Sequence, residues 1–245
     1  MDKSAAENRY LNGLRDGIPI GLGYLSVSFT FGIMAVSGGL PVLAALLISM
    51  TNLTSAGQLA GLSLILSGAS YFEMAAAQLI INIRYSLMSV SVSQKLGSTG
   101  TLNRMGIAFG ITDEIFAVSV TNPKQLGARY MYGLMCLPYI GWALGTLLGA
   151  AAGMLLPESI RSALGIAIYA MFIAIVIPPA KDSRPILFVL LGAVFLSSCF
   201  AWLPGLNRIS GGFAIIICAV VCAAAGAAIA PIDQDDDSTE APYGT

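Results

Sequence analysis

The 245 residues are 56% apolar and only 10% charged, with a net charge of −1, where soluble domains carry about 25% charged residues. Between Gly17 and Gln94 only Glu73 and Arg84 are charged, which excludes a soluble globular domain, and no basic excess argues for nucleic acid. Histidine is absent, which removes His-based proton relays, Ser–His triads and His-ligated metal sites.

This composition predicts an all-α polytopic helical membrane protein with six to eight transmembrane helices in one domain over residues 17–231. Residues 1–16 are polar and mixed in charge, without a signal-peptide pattern, and are expected on the cytoplasmic side. Residues 232–245 read as a disordered acidic tail. Cys136, Cys199, Cys218 and Cys222 all lie in apolar runs without a Cys-x-x-Cys spacing, and read as packing residues. No enzyme signature, cofactor motif or metal-ligand set emerges.

The first expected span is Gly17–Val36. Gly13, Gly17 and Gly21 recur every four residues, a spacing that lets helix backbones approach, and Pro19 removes one helical donor. Next come two apolar runs, Leu40–Met50 and Leu59–Ser67, separated by the polar octet Thr51–Gln58. Each run is long enough to reach about halfway through a ~30 Å hydrocarbon core. The octet is then either a break at mid-membrane or an ordinary loop between short helices. A polar break between half-spans is a sequence-level pointer to a transporter's binding site.

A run over Ser70–Ser93 carries Glu73, Gln78, Asn82 and Arg84. Glu73 stands near its start, where it reads as interfacial. Arg84 lies deeper, where a charge costs ~2.5–3.5 kcal/mol on insertion scales and needs a partner or a wet cavity. After the linker Lys95–Arg104, the run Met105–Thr121 is interrupted by Thr112-Asp113-Glu114, a second broken or re-entrant element. Arg84 against Asp113 and Glu114 leaves one carboxylate in excess, and an unpaired carboxylate at low dielectric favours its protonated form. Further spans are expected at Arg129–Leu156, with Gly141, Gly145, Gly149 and Gly153 in a stripe, and at Ile160–Pro178, Ile186–Leu203 and Ser210–Pro231.

The distribution of basic residues bears on topology. If both broken elements cross, Lys3, Arg9, Arg15, Lys124, Arg129, Lys181 and Arg184 share one side and Lys95, Arg104, Arg161 and Arg208 the other. If both are re-entrant, Lys95 and Arg104 join the richer side, which favours re-entry with six full spans. Either way both termini are expected in the cytoplasm.

Gly17-Ile-Pro-Ile-Gly-Leu-Gly-Tyr24, Phe29-Thr-Phe-Gly32 and Thr54-Ser-Ala-Gly-Gln58 resemble signatures of the AzlC family, the azaleucine-resistance type of branched-chain amino acid exporter. Asn82-Ile-Arg-Tyr-Ser-Leu-Met-Ser89 and Phe109-Gly-Ile-Thr-Asp-Glu-Ile-Phe-Ala117 resemble two more, in the expected order. The resemblance implies proton-motive-force-driven export of valine, leucine, isoleucine and in some members methionine, from the cell membrane. It also implies a small hydrophobic partner subunit of the AzlD type. A channel, or a carrier for another small amphipathic metabolite, is the alternative. For a zwitterionic substrate, the helix resuming after Gly57-Gln58 is a candidate carboxylate binder, with Gly57 allowing close backbone approach. Thr51, Asn52, Thr54, Ser55, Gln58 and Asn82 would supply polar contacts. Asp113 or Glu114 would take the ammonium or a coupling proton, with Arg84 either a counter-ion to one of them or a direct ligand.

Overall fold

The computed structural model describes residues 9–123, 125–157, 159, 172–173 and 176–231. Most of the expected span at 160–178, and the acidic tail, lie outside the described residues. The described helices are α1 (Tyr10–Ser37), α2 (Val42–Thr51), α3 (Ser55–Leu66), α4 (Tyr71–Lys95), α5 (Thr101–Phe109), α6 (Asp113–Thr121), α7 (Ala128–Leu155), α8 (Arg184–Trp202) and α9 (Gly211–Ile229). Of these α1, α4, α7, α8 and α9 are long and apolar enough to cross a membrane. Leu22, Leu43, Leu47, Leu144 and Leu148 point outward, the apolar surface a bilayer requires.

The chain divides into two compact units, one from Met1–Gly68 with Gln78–Ala170, the other from Ala69–Ala77 with Met171–Thr245. The first is built on α1 and α7, each 28 residues and so about 42 Å long. They run parallel, glycine stripe against glycine stripe. A Cβ added to Gly17 would stand 2.5 Å from the Leu134 carbonyl oxygen, and one on Gly21 3.0 Å from that of Leu137. From the other side, Gly141, Gly145 and Gly149 would strike the carbonyls of Gly21, Leu25 and Phe29. Pro138 leaves the Leu134 carbonyl without its usual helical donor, and Gly17 packs there. The helix α1 begins seven residues ahead of the expected span because Gly13 continues the stripe against Tyr130 and Leu134.

Both interrupted elements are helical hairpins, each returning to the end of the bundle from which it starts. The first is α2–α3. Its far end returns to its start, since a Cβ on Gly38, just after α1, would stand 2.6 Å from the Leu66 side chain at the end of α3. Ala45 of α2 and Leu62 of α3 pack together on Phe31 and Ala35 of α1. The second hairpin, α5–α6, starts and ends beside the C-terminus of α4. Arg104 bonds to the Ser93 carbonyl (2.7 Å), the Lys95 ammonium caps the Val120 and Asn122 carbonyls (2.6 and 2.5 Å), and Leu126 N–H donates to the Lys95 carbonyl (3.0 Å). Hairpin one therefore enters from the end of the bundle where α1 terminates, and hairpin two from the end where α1 and α7 begin.

In the second unit, Glu73 departs from its interfacial reading. It is 4% exposed, and its carboxylate accepts the Gly212 N–H at 2.8 Å, capping the first turn of α9. Gly212 permits this because a Cβ there would stand 2.5 Å from the carboxyl.

Candidate functional site

The two hairpin tips meet the middles of α1, α4 and α7. In hairpin one the helix breaks only over Asn52–Thr54, narrower than the expected octet. Thr51 is the last residue of α2 and Ser55–Gln58 already belong to α3. Thr54 is an extended N-cap whose hydroxyl accepts the Gly57 N–H at 3.3 Å, which is why α3 restarts there. In hairpin two the break is Gly110–Thr112, and Thr112 caps α6 in the same way through Ile115 N–H at 3.4 Å. Asp113 and Glu114 form the first turn of α6, not the break itself. Both second helices thus begin at mid-depth and run outward in opposite directions, so their positive ends converge on the centre.

Polar side chains from the three spans fasten the tips. On α4, Gln78 is the hub. Its Nε2 donates to the Gly57 carbonyl (2.8 Å), and its Oε1 accepts from Asn82 Nδ2 (3.0 Å) and, more weakly, Asn52 Nδ2 (3.4 Å). The close approach expected of a ligand at Gly57 is made by this side chain, whose Oε1 would lie 2.8 Å from a Cβ there. On α7, the Tyr139 hydroxyl donates to the Met50 carbonyl at 3.1 Å while its ring packs on Phe109, 6.4 Å between centroids, so one residue touches both hairpins. On α1, the Tyr24 hydroxyl donates to Glu114 and lies 2.6 Å from the Thr112 hydroxyl, and its ring stands edge-on to Trp142.

The charges are partitioned. Arg84 Nη1 lies 2.5 Å from Asp113 Oδ1, and the Tyr85 hydroxyl accepts from Arg84 (3.2 Å) and donates to Asp113 (3.4 Å). Glu114 has no cationic partner within salt-bridge distance among the described residues and is met by the Tyr24 phenol instead.

Of the other expected site residues, Gln58 is 1% exposed and turned inward, donating to Ser49 Oγ (3.0 Å) and the Asn52 carbonyl (2.9 Å), with Ser49 in turn 2.6 Å from Thr146 of α7. Thr54 is buried as a cap, and Ser55 is half-buried in the first turn of α3. Thr51 is exposed and spends its hydroxyl on the Leu47 carbonyl of its own helix (2.7 Å), away from the other tip residues. Gln58 Oε1, Asn82 Oδ1 and Trp142 Nε1 are buried without a protein partner. Such atoms are costly unless something else satisfies them. Gln78, Tyr24, Tyr85, Tyr139 and Trp142 were absent from the sequence-based set. Gln78 carried a signal, as an amide one helical turn before Asn82, and Tyr24 and Tyr85 lay within the family-like motifs.

Beside the tips lies a cavity of about 260 Å³. Hairpin two and α7 form most of its wall, Leu53 of hairpin one closes part of it, and Tyr24 and Thr112 belong both to it and to the polar cluster.

The family model described as AzlC protein matches residues 19–156. A membrane protein of Archaeoglobus fulgidus is 34% identical over 80% of this chain and 86% of its own length. The inner membrane protein YgaZ of Escherichia coli is 26% identical over 76% of this chain and 80% of its own, and a membrane protein of Helicobacter pylori strain 26695 is 26% identical over 60% and 67%. No solved structure matches the chain.

Proposed function

The chain belongs to the AzlC family, and from that membership and the arrangement at mid-membrane we propose that it is a secondary transporter, not an enzyme, exporting valine, leucine, isoleucine and methionine. Export runs across the cytoplasmic membrane, with both termini in the cytoplasm, and draws on the proton-motive force. The chain is the large subunit and works with a small hydrophobic AzlD-type membrane protein.

The observation that carries this reading is the unequal pair of half-helix N-termini. The first turn of α6 carries Asp113 and Glu114, so its positive end is already answered. The first turn of α3 carries no acid, only Ser55, Ala56 and Gly57, and although the Thr54 cap takes the Gly57 N–H, no charge answers its positive end, which attracts the substrate carboxylate. A zwitterion placed between them turns its ammonium toward α6 and toward the unpartnered oxygens of Gln58 and Asn82.

Arg84 neutralises Asp113, which makes that pair a fixed strut. Glu114 is the remaining carboxylate. Its contact with the Tyr24 phenol supports either protonation state, because the hydroxyl donates to the carboxylate and accepts from the acid. Glu114 is therefore the coupling carboxylate, alternately protonated as substrate and proton exchange places.

Counterflow of labelled valine, leucine, isoleucine and methionine in proteoliposomes, with and without the small partner, tests the assignment. Saturable counterflow of these four, accelerated by an imposed pH gradient, is expected. Glu114→Gln keeps exchange and loses the acceleration. Absence of counterflow for all four in both preparations overturns the transport reading, and full gradient response in Glu114→Gln overturns the coupling role.

A further inference from the structure

The cavity between hairpin two and α7 adjoins the polar cluster but lies outside it. At about 260 Å³ it offers room for roughly nine waters at ~30 Å³ each, more than the three or four carbons of a branched alkyl side chain require. Apart from the Cys136 thiol and the hydroxyls of Tyr132 and Tyr139, which are spent on Asn103 and the Met50 carbonyl, its wall is apolar except at one end. There Tyr24 and Thr112 join it to the polar cluster where the ammonium and carboxylate are placed, so a zwitterion held at the tips can extend only its side chain into this space without burying an unpaired charge. Gly106 of α5 and Gly110, just after its end, are four residues apart and face α7. A Cβ on Gly110 would stand 2.7 Å from Met135 Sδ, and one on Gly106 2.7 Å from the Tyr132 hydroxyl. The missing side chains let the unbranched, polarisable Met135 lie across the wall, where it can adjust to alkyl groups of different branching.

We propose that this cavity receives the alkyl or thioether side chain of the exported amino acid, and that Met135, Phe109, Ile115 and Cys136 set which side chains fit. The assignment rests on the transport reading above and names the selectivity pocket of that site.

Cys136 gives a test with its own readout. A protein carrying Cys199→Ala, Cys218→Ala and Cys222→Ala keeps Cys136 as its one thiol. In proteoliposomes, saturating leucine is expected to slow alkylation of Cys136 by N-ethylmaleimide several-fold, and glycine at the same concentration is not. Counterflow inhibition by the wild type is expected to strengthen about fourfold for each methylene from alanine towards leucine. Cys136→Leu, which fills the pocket, is expected to flatten or invert that order, and Phe109→Ala to extend it to larger side chains. Leucine counterflow with an unchanged order in both variants overturns the pocket while leaving transport standing. Alkylation that responds to lipid chain length and not to leucine assigns the cavity to acyl chains and also overturns it. Absence of counterflow in every preparation is the failure of the transport reading itself.

Discussion

Replacing Gln78 with leucine keeps a side chain of similar bulk and deletes its amide. Three hydrogen bonds go with it, to the Gly57 carbonyl, to Asn82 and, at 3.4 Å, to Asn52. The Asn82 bond stays within α4, whereas those to Gly57 and Asn52 reach from α4 to hairpin one. Side-chain hydrogen bonds between membrane helices average ~0.6 kcal/mol in measured cycles, so these two together give roughly 1 kcal/mol. The Gly57 carbonyl lies inside α3 and keeps its helical donor, so it is not left empty. For a chain of this size a loss of about 1 kcal/mol lowers the unfolding midpoint by roughly 2–4 °C. Thermal unfolding in detergent, followed by the fluorescence of Trp142 and Trp202, measures it. Gln78→Glu separates the donor from the acceptors, because only the protonated acid can donate to the carbonyl, so its stability should rise as pH falls. A midpoint for Gln78→Leu within about a degree of wild type, with leucine counterflow unaltered, would refute the view that this side chain fastens hairpin one.

Arg84→Ala should reduce membrane abundance several-fold. The pair itself, with side chains 47% and 41% exposed, is worth at most about 1 kcal/mol. An unpaired charge at that depth costs ~2.5–3.5 kcal/mol. The double variant Arg84→Ala/Asp113→Asn should recover abundance in a fractionated-membrane blot, and recovery no better than either single variant would deny the pairing. Gly149→Leu should abolish folded, monodisperse protein on size exclusion, since any Cβ there strikes the Phe29 carbonyl. Gly23→Leu, on the open side of α1 with nothing within 4 Å, should behave as wild type. Glu73→Ala should cost about 1 kcal/mol, the usual worth of a helix cap, whereas Glu73→Gln retains the accepting oxygen and should unfold close to the wild-type midpoint.

The sequence was informative where composition changes abruptly. Polar residues inside an apolar run located both breaks, and α2–α3 and α5–α6 each fold back as a helical hairpin. The extent of the first break was less legible. Thr, Ser, Gly and Gln read as polar whether they cap, continue or interrupt a helix, and only the hydrogen bond from Thr54 to Gly57 shows that α3 has already restarted. Thr51 misled for a related reason, since a hydroxyl that bonds back to its own helix is indistinguishable in sequence from one aimed at a ligand. The glycine spacing in α7 announced a close helix contact, and the partner proved to be the matching stripe in α1, about 120 residues earlier. Tyr24 and Tyr85 stood inside family-like motifs and Tyr139 in a plain apolar span, and none was assigned to the site because a tyrosine in an apolar span fits lipid, core or site equally well. Their role follows from which hairpin each one meets, a long-range fact that no local pattern encodes.

The interlock of α1 with α7 limits how this protein can move. Sliding or rolling either helix by even one residue would drive a side chain into the other's main chain, so the two act as a single fixed post. In the transport cycle we propose, alternating access would then fall to the hairpins, each tethered at its tip by a handful of phenol and amide contacts, while the glycine seam stays shut.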